Sequence, residues 1–292
     1  MTGPGIWIQA SRPKTLPAAL APVAMGIAIA WRDGVFDALP AIAAFVGAML
    51  IQIATNFAND YFDGVKGTDT EDRLGPQRAV QAGLVTPATM KRAFVLTFAL
   101  AAAVGAYLVW HAGWPIVVIG LLSILFGILY TGGPKPLGYL GLGDILVLIF
   151  FGPVATAGTH YVQALEWSTQ AIVAGLAPGL LGVALLTVNN LRDVDGDRIA
   201  GKKTLAVRFG ARFAKAEFVF CVLGAALVPV VLWALFDGPA SAMFATASCV
   251  LAIGPLREVV AWQPGRRLST ALAGSGRLLV GYGITFCIGW VL

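Results

Sequence analysis

Apolar residues run in long blocks along this chain, and the polar residues between them are gathered into a few stretches. Nine apolar segments can be marked, at residues 16–31, 39–58, 93–110, 115–130, 142–159, 171–189, 218–235, 243–260 and 272–292. Residues 94–130 and 145–164 contain no Asp, Glu, Lys or Arg. A helix needs about 18 or more apolar residues to cross a hydrocarbon core of about 30 Å. A single buried helix in a soluble core would not need so many such runs in series. The pattern predicts an all-α integral membrane protein, with nine transmembrane helices in a bundle around a central cavity.

Composition supports this reading. Of 292 residues, 58% are hydrophobic and 12% charged, and the mean hydropathy is +0.80. A soluble domain carries about 25% charged residues. The 35 Gly and 16 Pro suit a membrane bundle. Small residues let helices approach closely there, and broken backbone is tolerated where it lines a cavity. Cys221, Cys249 and Cys287 all fall in apolar segments, without metal or disulfide spacing, and read as small buried hydrophobes. No basic stretch followed by a short apolar run and a cleavage site opens the chain, so no removable signal peptide is expected.

Charge tests the segment count independently. With the N-terminal tail in the cytoplasm and sides alternating, nineteen of the twenty Lys and Arg residues fall on the cytoplasmic side, and only Arg32 falls opposite. Cytoplasmic loops collect Lys and Arg, and a wrong count would scramble the bias. The expectation is a multi-pass protein of the cell inner (plasma) membrane, N-terminus inside and C-terminus outside. The net charge of +5 follows from the same bias, so no nucleic acid partner is implied.

Two cytoplasmic loops, 59–92 and 190–215, are long, whereas the opposite loops 110–114, 160–169 and 236–240 are short. Function is therefore expected on the cytoplasmic face. The pair Asn189/Asp193 repeats the spacing of Asn56/Asp60, and equally that of Asn59/Asp63. Each set ends one segment and opens a long loop. This suggests one transmembrane domain over 1–292, built of two four-helix pseudo-repeats, about 10–160 and 161–260, plus a ninth helix.

The two loops hold the candidate chemistry. They contain Asp60, Asp63, Asp69, Glu71, Asp72, Asp193, Asp195 and Asp197, eight of the fifteen acidic residues. Asn59 and Asp63 are four apart, as are Asp193 and Asp197. Such pairs share a helix face, and carboxylates brought together there repel unless a cation lies between them. Magnesium suits the pattern, because it binds through a few carboxylates plus substrate phosphates and keeps several waters. Lys66, Arg73, Arg78, Arg192, Lys202, Lys203 and Arg208 are interleaved and suited to phosphate oxygens. A metal–diphosphate complex above an apolar bundle that houses a long greasy chain is the implied arrangement. Ordinary solvated loops would explain the basic residues, but not the acids that accompany them.

These residues resemble the two Asp-rich motifs of the UbiA superfamily of intramembrane aromatic prenyltransferases. Within it, the closest resemblance is to the 1,4-dihydroxy-2-naphthoate polyprenyltransferases of menaquinone synthesis. The residues that carry it are Asn59 to Asp63, Lys66 to Asp69, Asp72 to Arg78, Asn189 to Asp193, and Asp197 to Leu205. Ser11 to Leu16, Tyr130 to Lys135 and Gly141 to Asp144 also fit. Many relatives place a third acid four positions after the second. Here that position is Gly67, with Asp69 the nearest substitute, as in the naphthoate branch.

The resemblance implies transfer of a polyprenyl group from its diphosphate to an aromatic ring carbon, with loss of carbon dioxide when the acceptor is 1,4-dihydroxy-2-naphthoate. Ionising an allylic diphosphate develops charge that Mg2+ and Lys/Arg clamps stabilise. The metal candidates are Asn59, Asp60, Asp63, Asp69, Asp193 and Asp197. The diphosphate and acceptor candidates are Lys66, Arg73, Arg78, Lys135, Arg192, Lys202 and Arg208. Asp63, Asp193, Lys66, Arg78 and Tyr130 are the candidates for catalysis. Tyr61, Tyr130 and Tyr139 are candidates to shield a carbocation. Asp144 either caps its helix or helps form the site. Other ring acceptors, such as 4-hydroxybenzoate or homogentisate, stay open. A transporter is the main non-enzyme alternative, weakened because the acids lie at helix ends on one side rather than at the bilayer midplane. A phosphatidyl-type transferase would need one motif of another pattern.

Overall fold

A computed structural model of the chain describes residues 3–67 and 78–292. All regular structure among the described residues is helical. A short helix α1 (Pro4–Ala10) leads through a 3-10 turn into α2 (Leu16–Arg32), followed by α3 (Ala38–Lys66), α4 (Pro87–Ala112) and α5 (Trp114–Leu129). A loop then reaches α6 (Gly143–Ile149), which passes through a π-helical turn, Phe150–Val154, into α7 (Ala155–Ala164). Next come α8 (Thr169–Arg192), the short α9 (Val194–Ile199) and α10 (Leu205–Leu235). The chain closes with α11 (Phe244–Ser248), α12 (Ile253–Val260) and α13 (Ser269–Val291).

Local signals set these boundaries. Thr86 and Ser168 cap α4 and α8, accepting bonds from the backbone N–H of Thr89 (3.2 Å) and Ala171 (3.2 Å). Side-chain oxygens at this position satisfy amides that have no partner within the helix. Pro87 and Pro115 stand in the first turn of their helices, where a missing N–H costs nothing. Gly67 ends α3 in a left-handed conformation at φ 62°, as glycine does without steric penalty.

Among the described residues, eight helical spans are long and apolar enough to cross a membrane. All nine apolar segments of the sequence fall on helix. The one outside this set is α5, whose 16 residues reach about 24 Å at 1.5 Å per residue. The seventh segment is longer than its apolar run, starting at Leu205 rather than near residue 218. Arg208 lies in an opening stretch that breaks at Gly210 (φ 81°), and Arg212, Lys215 and Glu217 belong to the helix that continues beyond it, although they interrupt the apolar pattern.

Helix α8 is the most enclosed span and packs on α10, α13, α2 and the α6–α7 unit. Around it lies a core that includes Met25, Ile29, Leu181, Tyr282, Phe286 and Trp290. Leu96, Leu100, Leu121, Phe220, Leu223 and Leu227 stay exposed on the outer face, where a bilayer supplies the apolar contact. The break at Gly152 lies against α8 at its closest approach. A Cβ on Gly179 would stand 2.5 Å from the Leu148 carbonyl oxygen, and one on Gly152 would stand 2.7 Å from the Gly175 oxygen. Small residues bring these backbones together, and the π turn absorbs the bend. Helices α2 to α7 surround an apolar cavity of about 520 Å³, lined by residues such as Ala48, Ile51, Gly120, Phe126, Leu146 and Val147. Tyr130 lines it too, at the end where α5 gives way to the following loop.

Candidate active site

The last two turns of α3 present Asn59, Asp60 and Asp63 as buried polar groups. Asn59 Oδ1 accepts a bond from the Thr131 hydroxyl at 2.7 Å. Asp63 accepts one from the Tyr139 hydroxyl at 2.6 Å and is ion-paired with the Arg78 guanidinium. The two Asp60 oxygens accept the backbone N–H groups of Ala79 (2.9 Å) and Val80 (3.0 Å). Asp60 thus anchors the returning end of the first long loop to α3. Lys66 donates to the carbonyl oxygens of Thr131 (2.8 Å) and Gly133 (3.2 Å).

The second motif sits where α8 passes into α9. Arg192 grips Asp193 with two bonds, at 2.7 and 2.6 Å. The backbone N–H of Asp197 donates to the Asp193 carbonyl at 2.8 Å, so one helical turn keeps both acids on one face. Lys202 pairs with the Asp197 carboxylate at 3.1 Å.

The two motifs meet through the loop of residues 130–142. Tyr139 bonds Asp63, and the ammonium groups of Lys66 and Lys202 stand 5.3 and 5.0 Å from its ring centroid. The path Asp63–Tyr139–Lys202–Asp197 therefore joins acids 134 residues apart in sequence, from position 63 to 197. Lys203 N–H donates to the Tyr139 carbonyl (2.7 Å), and Arg208 to the Leu140 carbonyl (2.8 Å). Cations close to a ring face are attracted by its quadrupole, so Tyr139 organises both lysines.

Other candidates take different places. Tyr130 is at the cavity end, with its hydroxyl against the backbone of Gly143. Tyr61 packs with Phe62 (5.0 Å) and Phe94 (5.5 Å) in an aromatic cluster, so its ring is core rather than a cavity wall. Lys135 is exposed on the connecting loop. Asp69 and Arg73, with Glu71 and Asp72, lie outside the described residues.

Arg12 is the residue that sequence reasoning passed over as a site candidate. It holds a left-handed backbone at φ 52°, uncommon for a non-glycine residue. Its turn is fastened by Asn56 donating to the Ser11 carbonyl (2.9 Å) and by the Thr15 N–H donating to Arg12 (2.9 Å). Its positive charge is felt at Tyr130. Strained backbone of this kind clusters at functional sites.

Residues 19–275 match the UbiA prenyltransferase family. The chain belongs to this family. Among UbiA proteins, it is 44% identical over 237 residues to the 1,4-dihydroxy-2-naphthoate octaprenyltransferase of Escherichia coli K12, covering 79% of this chain and 77% of that one. It is 37% identical over 273 residues to the enzyme of the same description from Mycobacterium tuberculosis, covering 92% and 91%. A solved UbiA homologue from Archaeoglobus fulgidus bound to DMAPP and Mg2+ superposes with a TM-score of 0.68, over 97% of this chain and 99% of that one. At 14% identity that likeness bears on the fold.

The donor set fits a magnesium ion. Asn59, Asp63, Asp193 and Asp197 offer hard oxygen donors, and among the described residues no three His, Cys, Asp or Glu side chains form a ready-made cage. Magnesium is commonly held by one or two carboxylates, with phosphate and water completing its octahedron.

Proposed function

We propose that this protein transfers a polyprenyl group from polyprenyl diphosphate to 1,4-dihydroxy-2-naphthoate. Diphosphate and carbon dioxide are released, and the product is demethylmenaquinol for menaquinone biosynthesis. The observation that carries the reading is the meeting of both Asp motifs at Tyr139, beside the Tyr130 end of an apolar cavity. Charged groups gather where a diphosphate would be handled, and the cavity offers an apolar sleeve for the chain attached to it. The naphthoate octaprenyltransferases that resemble this chain over most of its length support the choice of acceptor.

In this proposal Asn59, Asp63, Asp193 and Asp197 hold Mg2+, with Asp69 an additional candidate and Asp60 fixing the loop beside them. When bound, Mg2+ would neutralise charge developing on the departing diphosphate. Lys66, Arg73, Lys202 and Arg208 bind phosphate oxygens. Arg78 and Arg192, paired with Asp63 and Asp193, bring positive charge for phosphate or the acceptor carboxylate. Lys135 and Arg12 are further cations available to that carboxylate. Tyr130, at the cavity end, presents its phenol to the reacting carbons. The site faces the cytoplasm of the bacterial inner membrane, as the Lys/Arg bias supports.

The test is purified protein in lipid, given polyprenyl diphosphate, Mg2+ and either 1,4-dihydroxy-2-naphthoate or 4-hydroxybenzoate. Prenylated, decarboxylated naphthoquinol is expected from the first acceptor alone. It should vanish with excess chelator and in Asp63→Ala or Asp193→Ala. Product from 4-hydroxybenzoate alone would overturn the acceptor, and full turnover in chelator would overturn the metal.

A further inference from the structure

The apolar cavity has a definite depth and capacity. Tyr130 stands at one end, and Leu108, Ile116 and Val162, packed in one buried cluster, close the other. Tyr130 and Ile116 are fourteen residues apart, about 21 Å at 1.5 Å per residue. A dry apolar cavity of about 150 Å³ takes up one benzene molecule, with six carbons. At that density a cavity of about 520 Å³ takes about twenty carbons, or four isoprene units.

The wall is bare at one level. Gly47 of α3, Gly105 of α4, Gly120 of α5 and Gly158 of α7 all line the cavity. Each lies six to nine residues from the end of its helix on the side of Trp110 and Trp114, about 9–14 Å along the axis. Those four ends are neighbours. The Tyr161 hydroxyl donates to the Ala112 carbonyl at 3.2 Å, and Ala43 packs in one cluster with Ala112 and Ile116. A Cβ on Gly47 or Gly158 would meet Val104 at 3.7 Å or Ile119 at 3.5 Å, which is ordinary contact. One on Gly105 or Gly120 would meet no atom within 4 Å. Close packing therefore does not call for glycine at these two positions, and glycine inside a helix is less favourable than alanine. What the two missing side chains preserve is the width of the cavity.

We infer that Gly105 and Gly120 are specificity-determining residues for the prenyl donor: they keep open the place of about the third isoprene unit, in a cavity that reads the first four. The inference rests on the prenyl-transfer reading above. Gly120 is ten residues from Tyr130, about 15 Å along a depth of about 21 Å. With the diphosphate held at the motif end, that level falls beside the third of four units. Units beyond the fourth exceed the capacity and lie outside, against lipid. Val117 and Leu121 line the cavity and are also exposed on the outer face of α5, so lipid borders this wall. Lipid chains are as apolar as the cavity, so the outer units lose nothing by staying among them and the protein does not discriminate between them.

The test compares kcat/KM in lipid for geranyl, geranylgeranyl and octaprenyl diphosphate, which carry two, four and eight units. Gly120→Leu fills the place of the third unit. One methylene too many in an apolar pocket costs about 10- to 200-fold, so the ratio of kcat/KM for the geranylgeranyl donor to that for the geranyl donor should fall at least about 10-fold below wild type. Gly105→Leu, at the same level on α4, should shift this ratio the same way. The ratio for octaprenyl to geranylgeranyl should stay within about 3-fold of wild type, because both donors fill all four places. An unchanged first ratio in either variant would overturn the inference, whether the two donors keep their turnover or lose it together. A second ratio that falls as steeply as the first would overturn the count of four. Leucine is a better helix former than glycine, and product from the geranyl donor shows that a variant is folded. Should neither leucine variant turn over any donor, Gly120→Ala and Gly105→Ala decide by the first ratio: a fall supports the inference, and an unchanged ratio overturns it. Wild-type protein that makes no product from any donor sinks the functional reading and this inference with it. Wild-type product with unchanged ratios in the variants counts against Gly105 and Gly120 alone.

Discussion

Tyr139 shows what one side chain can do in this site. Its hydroxyl holds Asp63, its ring faces two lysines, and its carbonyl receives Lys203. A hydrogen bond to a charged group contributes about 1.5–3 kcal/mol. Tyr139→Phe keeps the ring and removes only that bond, so kcat/KM for polyprenyl diphosphate is expected to drop about 10- to 100-fold on that scale. Steady-state kinetics with the donor varied would measure it, and an unchanged kcat/KM would remove Tyr139 from the junction. The acids themselves were legible in the sequence, because i, i+4 spacing beside a segment end is a local signal. The bond between Tyr139 and Asp63 was not, since it joins residues 76 apart. Arg12 was hidden for another reason: a non-glycine residue with positive φ carries no mark in the sequence, and its turn is fixed from outside by Asn56.

At the scale of elements, the apolar runs located the helices well and their ends less well. The α10 span begins at Leu205, capped by the Thr204 hydroxyl, thirteen residues before the run that revealed it at position 218. The helix breaks once in this stretch, at Gly210, and beyond it Arg212, Lys215 and Glu217 interrupt hydropathy while the helix continues; Lys215 donates to the carbonyls of Val260 and Trp262. The fault at Gly152 is silent in hydropathy, because the residues around it are apolar, but the Gly152–Pro153 pair marks it, since a proline inside a helix removes a backbone hydrogen bond and crowds the preceding turn. Its close packing on α8 is testable. Gly179→Ala places a methyl 2.5 Å from the Leu148 oxygen, and overpacking of this kind costs about 1–3 kcal/mol. A lower melting temperature in detergent is expected. Gly254→Ala, with open space around it, should melt like wild type. Equal melting of both variants would mean that the contact yields without cost.

Over the whole molecule, the number of crossings turns on α5. Its 16 residues are short, but its two ends lie in different surroundings. It starts at the Gly113 turn, between the exposed Trp110 and Trp114, residues favoured at a membrane–water interface. It ends at Tyr130 and Thr131, and Thr131 bonds Asn59 in the last turns of α3. Helix α4 follows the loop that Asp60 anchors to those same turns and ends at the tryptophan side, so α5 has to come back. A 16-residue helix extended by Tyr130 and Thr131, with local thinning of the bilayer, meets that requirement at a modest cost. We therefore propose nine crossings, two four-helix halves with α13 as the ninth, and termini on opposite sides. With Cys221, Cys249 and Cys287 replaced by alanine, single cysteines at Gly5 and Leu292 can be probed in intact cells with a membrane-impermeant maleimide. Labelling of the Leu292 site alone is expected, with the Gly5 site reacting only after lysis. Labelling of both from the same side would leave an even number of crossings and return α5 to one face of the membrane. The motif loops would still meet at Tyr139 in that case, because that junction is made by contacts at one end of the bundle and does not depend on how the far end is threaded.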